Sequence, residues 1–208
     1  MQKKLLKVKL IKEVVNKTDI EELFYKRRTI RRFKQDPVSL EVLKKLVDYA
    51  RIAPMAKNVQ ALEFVIVSNP EMRNKLFPLV KWSSSLPKEQ RTPESGREPT
   101  AYIIVLVNTQ IKNVYVDYDV GAAVENILLG AVNFGLGSCW MGSINFRKIR
   151  SLFEIPEYYE IKHVISIGYP DEESIIEPFG GVFQYWKDDD GKMHVPKRSL
   201  EDIIFKIY

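Results

Sequence analysis

The chain has 208 residues, of which 45% are hydrophobic and 28% charged, with a mean hydropathy of -0.20; that is enough apolar material for one domain core and lies outside the composition of disordered chains. A net charge of +5 and a pI near 9.1 leave nucleic acid, an anionic membrane surface or a small anionic ligand as partners, and the distribution of charge must choose among them. The single Cys139 excludes an intrachain disulfide, no apolar run nears the roughly 18 residues of a membrane span, and Lys3, Lys4, Lys7, Lys9 and Lys12 interrupt any secretory core, so a cytoplasmic protein without a membrane partner is expected.

Residues 3–15 mix Leu5, Leu6, Val8, Leu10, Ile11, Val14 and Val15 with lysines and read equally as an amphipathic helix or as a strand with a helical turn. Residues 1–17 are read as an N-terminal extension or arm and 18–208 as one domain. Thr18 and Glu21 form a Thr-x-x-Glu capping box that predicts a helix over 19–26. Ser39 caps a second helix, in which Leu40, Leu43, Leu46, Val47 and Ala50 build one apolar stripe before Pro54 stops it. A strand follows over 63–67, a helix over 70–80 and a buried strand over 101–107. Between the last two, residues 81–99 gather Ser83, Ser84, Ser85, Pro87, Pro93, Ser95, Gly96 and Pro99; this long, mobile connection reads either as an active-site lid or as a loop without function. An Ala-rich apolar helix over 120–134 belongs in the centre of the fold or at a subunit interface. A helix over 145–153, a buried strand over 161–168 and a Ser199-capped helix over 199–207 complete the order, which is α+β or α/β.

The two histidines, His163 and His194, sit at ligand spacing with neither each other nor Cys139, so no metal is expected, and His163 reads as a hydrogen-bonded core residue. No Gly-x-Ser-x-Gly, Walker or Gly-x-Gly-x-x-Gly pattern is present; Gly135-Leu136-Gly137 lacks the third glycine and follows a helix. What remains is a cluster of charge: Arg27, Arg28, Arg31 and Arg32 fall within six positions, beside Thr29. Like charges so close repel unless an anion is near. Each guanidinium offers a planar fork that suits phosphate oxygens, and a hydroxyl adds a donor. Two readings stay open, a phosphate site and a solvated basic helix end facing its own C-terminal dipole. A nucleic-acid surface would spread its cations over a face with interleaved aromatics; here the other basic residues are dispersed, and no nucleic-acid partner is expected.

Four segments, in order, resemble the nitroreductase family of FMN-dependent oxidoreductases. Arg27-Arg28-Thr29-Ile30-Arg31-Arg32-Phe33 is similar to that family's Arg-Arg-Ser-x-Arg-x-Phe, with Thr29 in the Ser place. Residues 50–60, which include Pro54, Met55, Ala56, Lys57, Asn58 and Gln60, resemble its Ala-Pro-Ser-x-x-Asn-x-Gln-Pro-Trp segment. Residues 119–142 resemble its central helix followed by Gly-Leu-Gly-x-x-Trp, and Gly168-Tyr169-Pro170 with Lys197-Arg198-Ser199 its closing motifs.

The resemblance implies a three-layer α+β fold, a central, mostly antiparallel sheet flanked by helices, and an intertwined homodimer with FMN at the interface. It implies that Arg27, Arg28, Thr29 and Arg31 hold the FMN phosphate and ribityl end, with Lys197 or Arg198 closing on the same phosphate. Pro54, Met55, Ala56 and Asn58 would line the ring and ribityl chain, and Met141, Gly142 and Ser143 would run along the flavin, a backbone N–H meeting N5. No side chain is assigned a catalytic role. NAD(P)H would give hydride to the flavin by a ping-pong order and a small acceptor, nitroaromatic, quinone or enone, would take it, with residues 81–99 and Trp82, Tyr115, Tyr118 or Phe134 as its determinants. The sequence departs from the family at Met55, where a small hydroxyl residue is usual, at Ala61-Leu62 in place of Pro-Trp, and at Lys57, whose cation would favour an anionic reduced flavin. These departures bear on the acceptor. The alternatives are a reductive dehalogenase or a flavin-destroying enzyme of the same fold, and a non-enzymatic flavin- or nucleic-acid-binding protein.

Overall fold

A computed structural model describes residues 20–208. The expected arm over 1–17 and the Thr18 cap lie outside the described residues. The first helix, α1 (Ile20–Lys26), has no buried residue. The second, α2 (Leu40–Arg51), begins where the Ser39 hydroxyl accepts the Val42 N–H, and it buries Leu43, Leu46 and Ala50, the stripe read from the sequence. Strand β1 (Leu62–Val67) leads to α3 (Pro70–Leu76). The helix expected over 70–80 ends early because Pro78 has no N–H to continue the ladder, and the chain tightens into a 3-10 turn at Phe77–Leu79.

Residues 81–99 are less open than their composition suggests. They carry a short helix, α4 (Lys88–Arg91), and bury Trp82, Ser83 and Leu86. Trp82 packs on Phe77 at a 5.7 Å centroid distance and is 7% exposed, so it belongs to the core and not to an acceptor pocket. Strand β2 (Ala101–Asn108), buried on both faces, is followed by α5 (Val116–Asn133), β3 (Gly137–Met141), α6 (Phe146–Leu152) and β4 (Tyr159–Gly168). Three shorter strands, β5 (Ser174–Pro178), β6 (Trp186–Lys187) and β7 (Met193–Lys197), precede α7 (Leu200–Ile203). The helix expected over 199–207 keeps its Ser199 cap but stops after Ile203; the apolar residues beyond it, Phe205 and Ile207 among them, are exposed and have no core to fold against.

The main sheet has the order β1-β2-β4-β3 with antiparallel neighbours throughout. Along β2, Ala101, Ile103, Val105 and Val107 point to one face and pack with α2 and α5; Tyr102, Ile104 and Leu106 point to the other and pack with Leu76 of α3 and Ile149 of α6. Period-2 alternation thus feeds two cores from one apolar strand, giving the three-layer α+β arrangement. The apolar side of α5 (Val120, Ala123, Val124, Ile127, Ala131) is consumed in the chain's own core. A second sheet, β5-β7-β6, stands beside the first.

Candidate functional site

After α1 the arginine run is extended rather than helical. Thr29 bridges Ser138 of β3 in parallel, the Ile30 N–H donates to the Ser138 carbonyl at 2.9 Å, and Phe33 lies opposite Pro170. The run therefore continues the main sheet past its β3 edge. Two glycines, paired across β3 and β4, make the room. A Cβ on Gly137 would lie 2.7 Å from the Ile30 Cβ, and one on Gly168 would lie 2.9 Å from the Phe33 ring. Ile30 and Phe33 press into those two places, and Arg31 and Arg32 between them are buried.

The four arginines have different surroundings. Arg27 Nε is 3.4 Å from a Glu125 oxygen on α5. Arg28 has a buried Nε with no hydrogen-bond partner, and burial first, then the Arg27 charge, pulls its guanidinium below the ordinary arginine range. Arg31 is 9% exposed; its Nε is also buried and unpartnered, and its guanidinium carbon lies 5.0 Å from the centre of the Tyr185 ring. Arg32 instead is fully engaged within the protein. Its Nε and Nη2 grip the Glu94 carboxylate at 2.6 and 2.7 Å, Nη2 also donates to the Gln90 carbonyl, and Nη1 is 3.4 Å from Glu172. The hydrogen bond from Arg32 holds the Glu94 carboxyl at about 2. Residues 81–99 are therefore fastened to the run.

Residues 54–58 start from the opposite edge of the sheet, just before β1, which three strand spacings, about 14 Å, separate from β3. Pro54 and Asn58 are exposed, and Met55 leans on the core shared by α2 and α5. The Ala56 N–H is already taken, donating at 2.8 Å to buried Asp119, whose other oxygen accepts from Asn113 at 2.7 Å. Lys57, Asn58 and Gln60 hold φ values of 53, 54 and 56°, a left-handed bend that costs about 1–2 kcal/mol per non-glycine residue. One chain thus leaves this segment apart from the arginines.

At the other end of β3, Met141 is buried while Gly142 and Ser143 are exposed. His163 of β4 borders them, with Nδ1 3.3 Å from where a Gly142 Cβ would sit. Its ring meets Trp140 edge-on at 5.2 Å, and burial keeps its pKa below the ordinary histidine value despite the Met141 carbonyl. The hydrogen-bonded core residue read from the sequence keeps a hydrogen bond to the Met141 backbone but is half-buried, and its Nδ1 has no partner. Lys197 and Arg198 are exposed at the far end of β7, where Lys197 pairs with Pro178 and Arg198 bonds the Asp202 carbonyl. Among the described residues no group of His, Cys, Asp and Glu is arranged to hold a metal, and no helix is long and apolar enough to cross a membrane.

Residues 25–169 match the model of the nitroreductase family. The chain belongs to that family. A relative from Archaeoglobus fulgidus, provisionally named an NADH dehydrogenase/NAD(P)H nitroreductase, is 31% identical over 159 residues, covering 73% of this chain and 86% of the relative. An iodotyrosine deiodinase from Thermotoga neapolitana is 28% identical over 164 residues, 73% of this chain and 88% of its own. An FMN-dependent nitroreductase from Clostridium difficile, solved as a structure, superposes with a TM-score of 0.59 at 28% identity, covering 74% of this chain and 88% of that one.

In this nitroreductase-family chain, sequence reasoning passed over the residues that hold the site together. Asp119 tethers residues 54–58, the Gly137 and Gly168 pair seats the arginine run, and Glu172 accepts the Arg31 N–H at 2.6 Å. The glycines were visible within the family motifs. Asp119 opens the 119–142 segment, but its bond to Ala56 and that of Glu172 to Arg31 carried no local sign, because those partners lie 63 and 141 positions away.

Proposed function

We propose that this chain is an FMN-dependent NAD(P)H oxidoreductase that passes hydride to a small electron acceptor and works as a homodimer. The observation that carries the reading is the pair of buried, unpartnered Nε atoms on Arg28 and Arg31, in a run pinned to the edge of β3. Buried cationic groups without a full set of partners are costly, and a dianionic phosphate beside the run offsets that cost. Thr29, between them, adds a hydroxyl. Gly142 lies four residues along the same strand edge from Ser138, about 13 Å at strand rise, so a ligand with its phosphate at Thr29 extends its other end toward Met141, Gly142 and Ser143. The residues present therefore fit FMN, which when bound supplies hydride acceptance and donation at N5. The protein's share is to hold the phosphate, to aim backbone N–H groups of Gly142 and Ser143 at the ring, and to exclude competing contacts; no nucleophile is needed. NAD(P)H and acceptor take the same face in turn.

The second copy has a defined task in this reading. Pro54, Met55, Ala56 and Asn58 lie off the opposite sheet edge from the arginines, so a partner chain brings its own 54–58 segment to the ring. With the Ala56 N–H committed to Asp119, Asn58 is the polar contributor. Lys197 or Arg198, both exposed at the end of β7, closes on the same phosphate in this reading.

The test is a titration of the purified protein with FMN and with riboflavin. A flavin band that co-migrates with the protein and tighter binding of FMN than of riboflavin are expected; a colourless protein that takes up no FMN overturns the reading. Mixing an Arg31→Ala copy with an Asn58→Ala copy should restore activity that neither has alone, since one site of the mixed dimer is intact. The likeness to an iodotyrosine deiodinase favours a second reading, reductive dehalogenation on the same flavin; bound FMN without turnover of quinone, nitroaromatic or enone, but with halide release from a halogenated phenol, would select it.

A further inference from the structure

A phosphate-binding arginine needs more than a charge. Its side chain has several rotors, and holding them in one geometry costs conformational entropy unless other groups fix them. At Arg31 those groups come from the second sheet and the segment leading into it. The Glu172 Oε1 accepts the Arg31 backbone N–H at 2.6 Å, and the Tyr185 ring backs the Arg31 guanidinium at 5.0 Å. Glu172 cannot drift, because its other oxygen accepts from Lys187 Nζ at 2.9 Å and lies 3.4 Å from Arg32 Nη1, and its side chain is 2% exposed. Lys187, two positions past Tyr185, is itself only 7% exposed in its side chain. The ion pair therefore fastens the segment that carries the ring to the same carboxylate that holds the backbone. One carboxylate sets both ends of Arg31.

We infer that Glu172 and Tyr185 are positioning residues that aim Arg31 at the phosphate of the cofactor, which makes the β5-β7-β6 sheet a functional part of the site. The inference rests on the phosphate reading above. It separates the roles within one ionic cluster, since Glu94 and Gln90 serve Arg32 and hold residues 81–99, Tyr185 serves Arg31, and Glu172 holds the Arg31 backbone while also facing Arg32.

The experiment compares FMN with riboflavin, which lacks the phosphate, in wild type, Tyr185→Phe, Tyr185→Leu and Glu172→Gln. Wild type should prefer FMN. Tyr185→Phe keeps the ring and should keep that preference within about twofold, whereas Tyr185→Leu removes the cation–π contact and should weaken FMN binding about two- to fivefold. Glu172→Gln should weaken FMN about tenfold or more by loosening the Arg31 backbone. Riboflavin affinity should not change in any of them. In the Arg31→Ala background, Tyr185→Leu should cost nothing further. A wild-type protein that binds both flavins equally overturns the phosphate reading; a wild type that prefers FMN, with Tyr185→Leu and Glu172→Gln keeping that preference in full, overturns the inference alone. Should Glu172→Gln fail to fold, the contrast between Tyr185→Phe and Tyr185→Leu decides. A purely structural role would lower both flavin affinities together.

Discussion

Arg31 and Arg32 are adjacent and chemically identical, yet their neighbours give them opposite tasks. Arg32 spends its donors on Glu94, Gln90 and Glu172, and its side chain is 4% exposed. Removing it leaves Glu94 half exposed to water and Glu172 still paired with Lys187, so Arg32→Ala should cost about 1–3 kcal/mol of stability, mainly through its lost buried hydrogen bonds. Arg31 and Arg28 keep an unpartnered Nε. Their alanine variants should instead lower FMN affinity by about 1.5–3 kcal/mol each, with little change in the melting temperature of the flavin-free protein. Denaturant unfolding and flavin titration, run on the same three variants, separate the two effects; equal losses of stability in all three would contradict the assignment. The sequence marked the cluster but could not sort its members. Glu94 and Glu172 stand 62 and 140 positions from Arg32, and nothing local announces them.

At the scale of elements, the long strands and helices were readable because each carries its own period. Ala101–Asn108 is a continuous apolar run, and the stripe of Leu40–Arg51 recurs every three to four residues. Strand β3 was passed over because Gly137-Ser138-Cys139-Trp140-Met141 is short and opens on glycine, and β5 and β7 because each includes a proline and makes its bonds to distant segments. Gly137 now has a testable task. Alanine there would push the Ile30 Cβ, a root atom that cannot swing aside, so Gly137→Ala should displace the arginine run and weaken FMN more than riboflavin; equal affinities to wild type would show that the run can shift without loss.

The second sheet has its own control in His194. Its Nδ1 and Nε2 lie 3.0 and 3.1 Å from Glu177 and Asp188, and its ring stacks on Trp186 at 4.1 Å, so the contact ties β5, β6 and β7 together. The hydrogen bond to Asp188, with that to Glu177, raises the histidine above its ordinary value; the His194 contact lowers the Asp188 carboxyl, and the Trp186 indole N–H first, then His194, lowers that of Glu177. The raised histidine stabilises the sheet fully below the unfolded value near 6.5, and that contribution fades as pH rises through the folded value. The lowered carboxyls act in the reverse sense, their contribution being present above roughly pH 4.5 and lost as pH falls. Amide exchange in β5–β7 should therefore be slowest between about pH 4.5 and 6.5 after correction for intrinsic rates, and His194→Gln should abolish that minimum. Protection that does not change with pH would contradict the clamp.

For the whole molecule, the order β1-β2-β4-β3 matters most. It puts the arginine run and Met141–Ser143 along one edge and residues 54–58 off the other. The sequence motifs named both groups but not their separation, because strand order is set by pairing between distant segments and leaves no local trace. In the proposed homodimer the two groups meet in one site, and the tethering of Ala56 by Asp119 would hold the second group ready in each copy. Asp119→Ala should thus lower flavin affinity through the partner's site while leaving the arginine run in place. The central claim, that the flavin takes hydride from a nicotinamide and passes it on, is tested most directly by anaerobic stopped-flow mixing of the FMN-loaded protein with NADH or NADPH, followed by a quinone or nitroaromatic. The account predicts that the flavin band bleaches with one of the two nicotinamides and returns when the acceptor is added; a band that neither nicotinamide bleaches would contradict it.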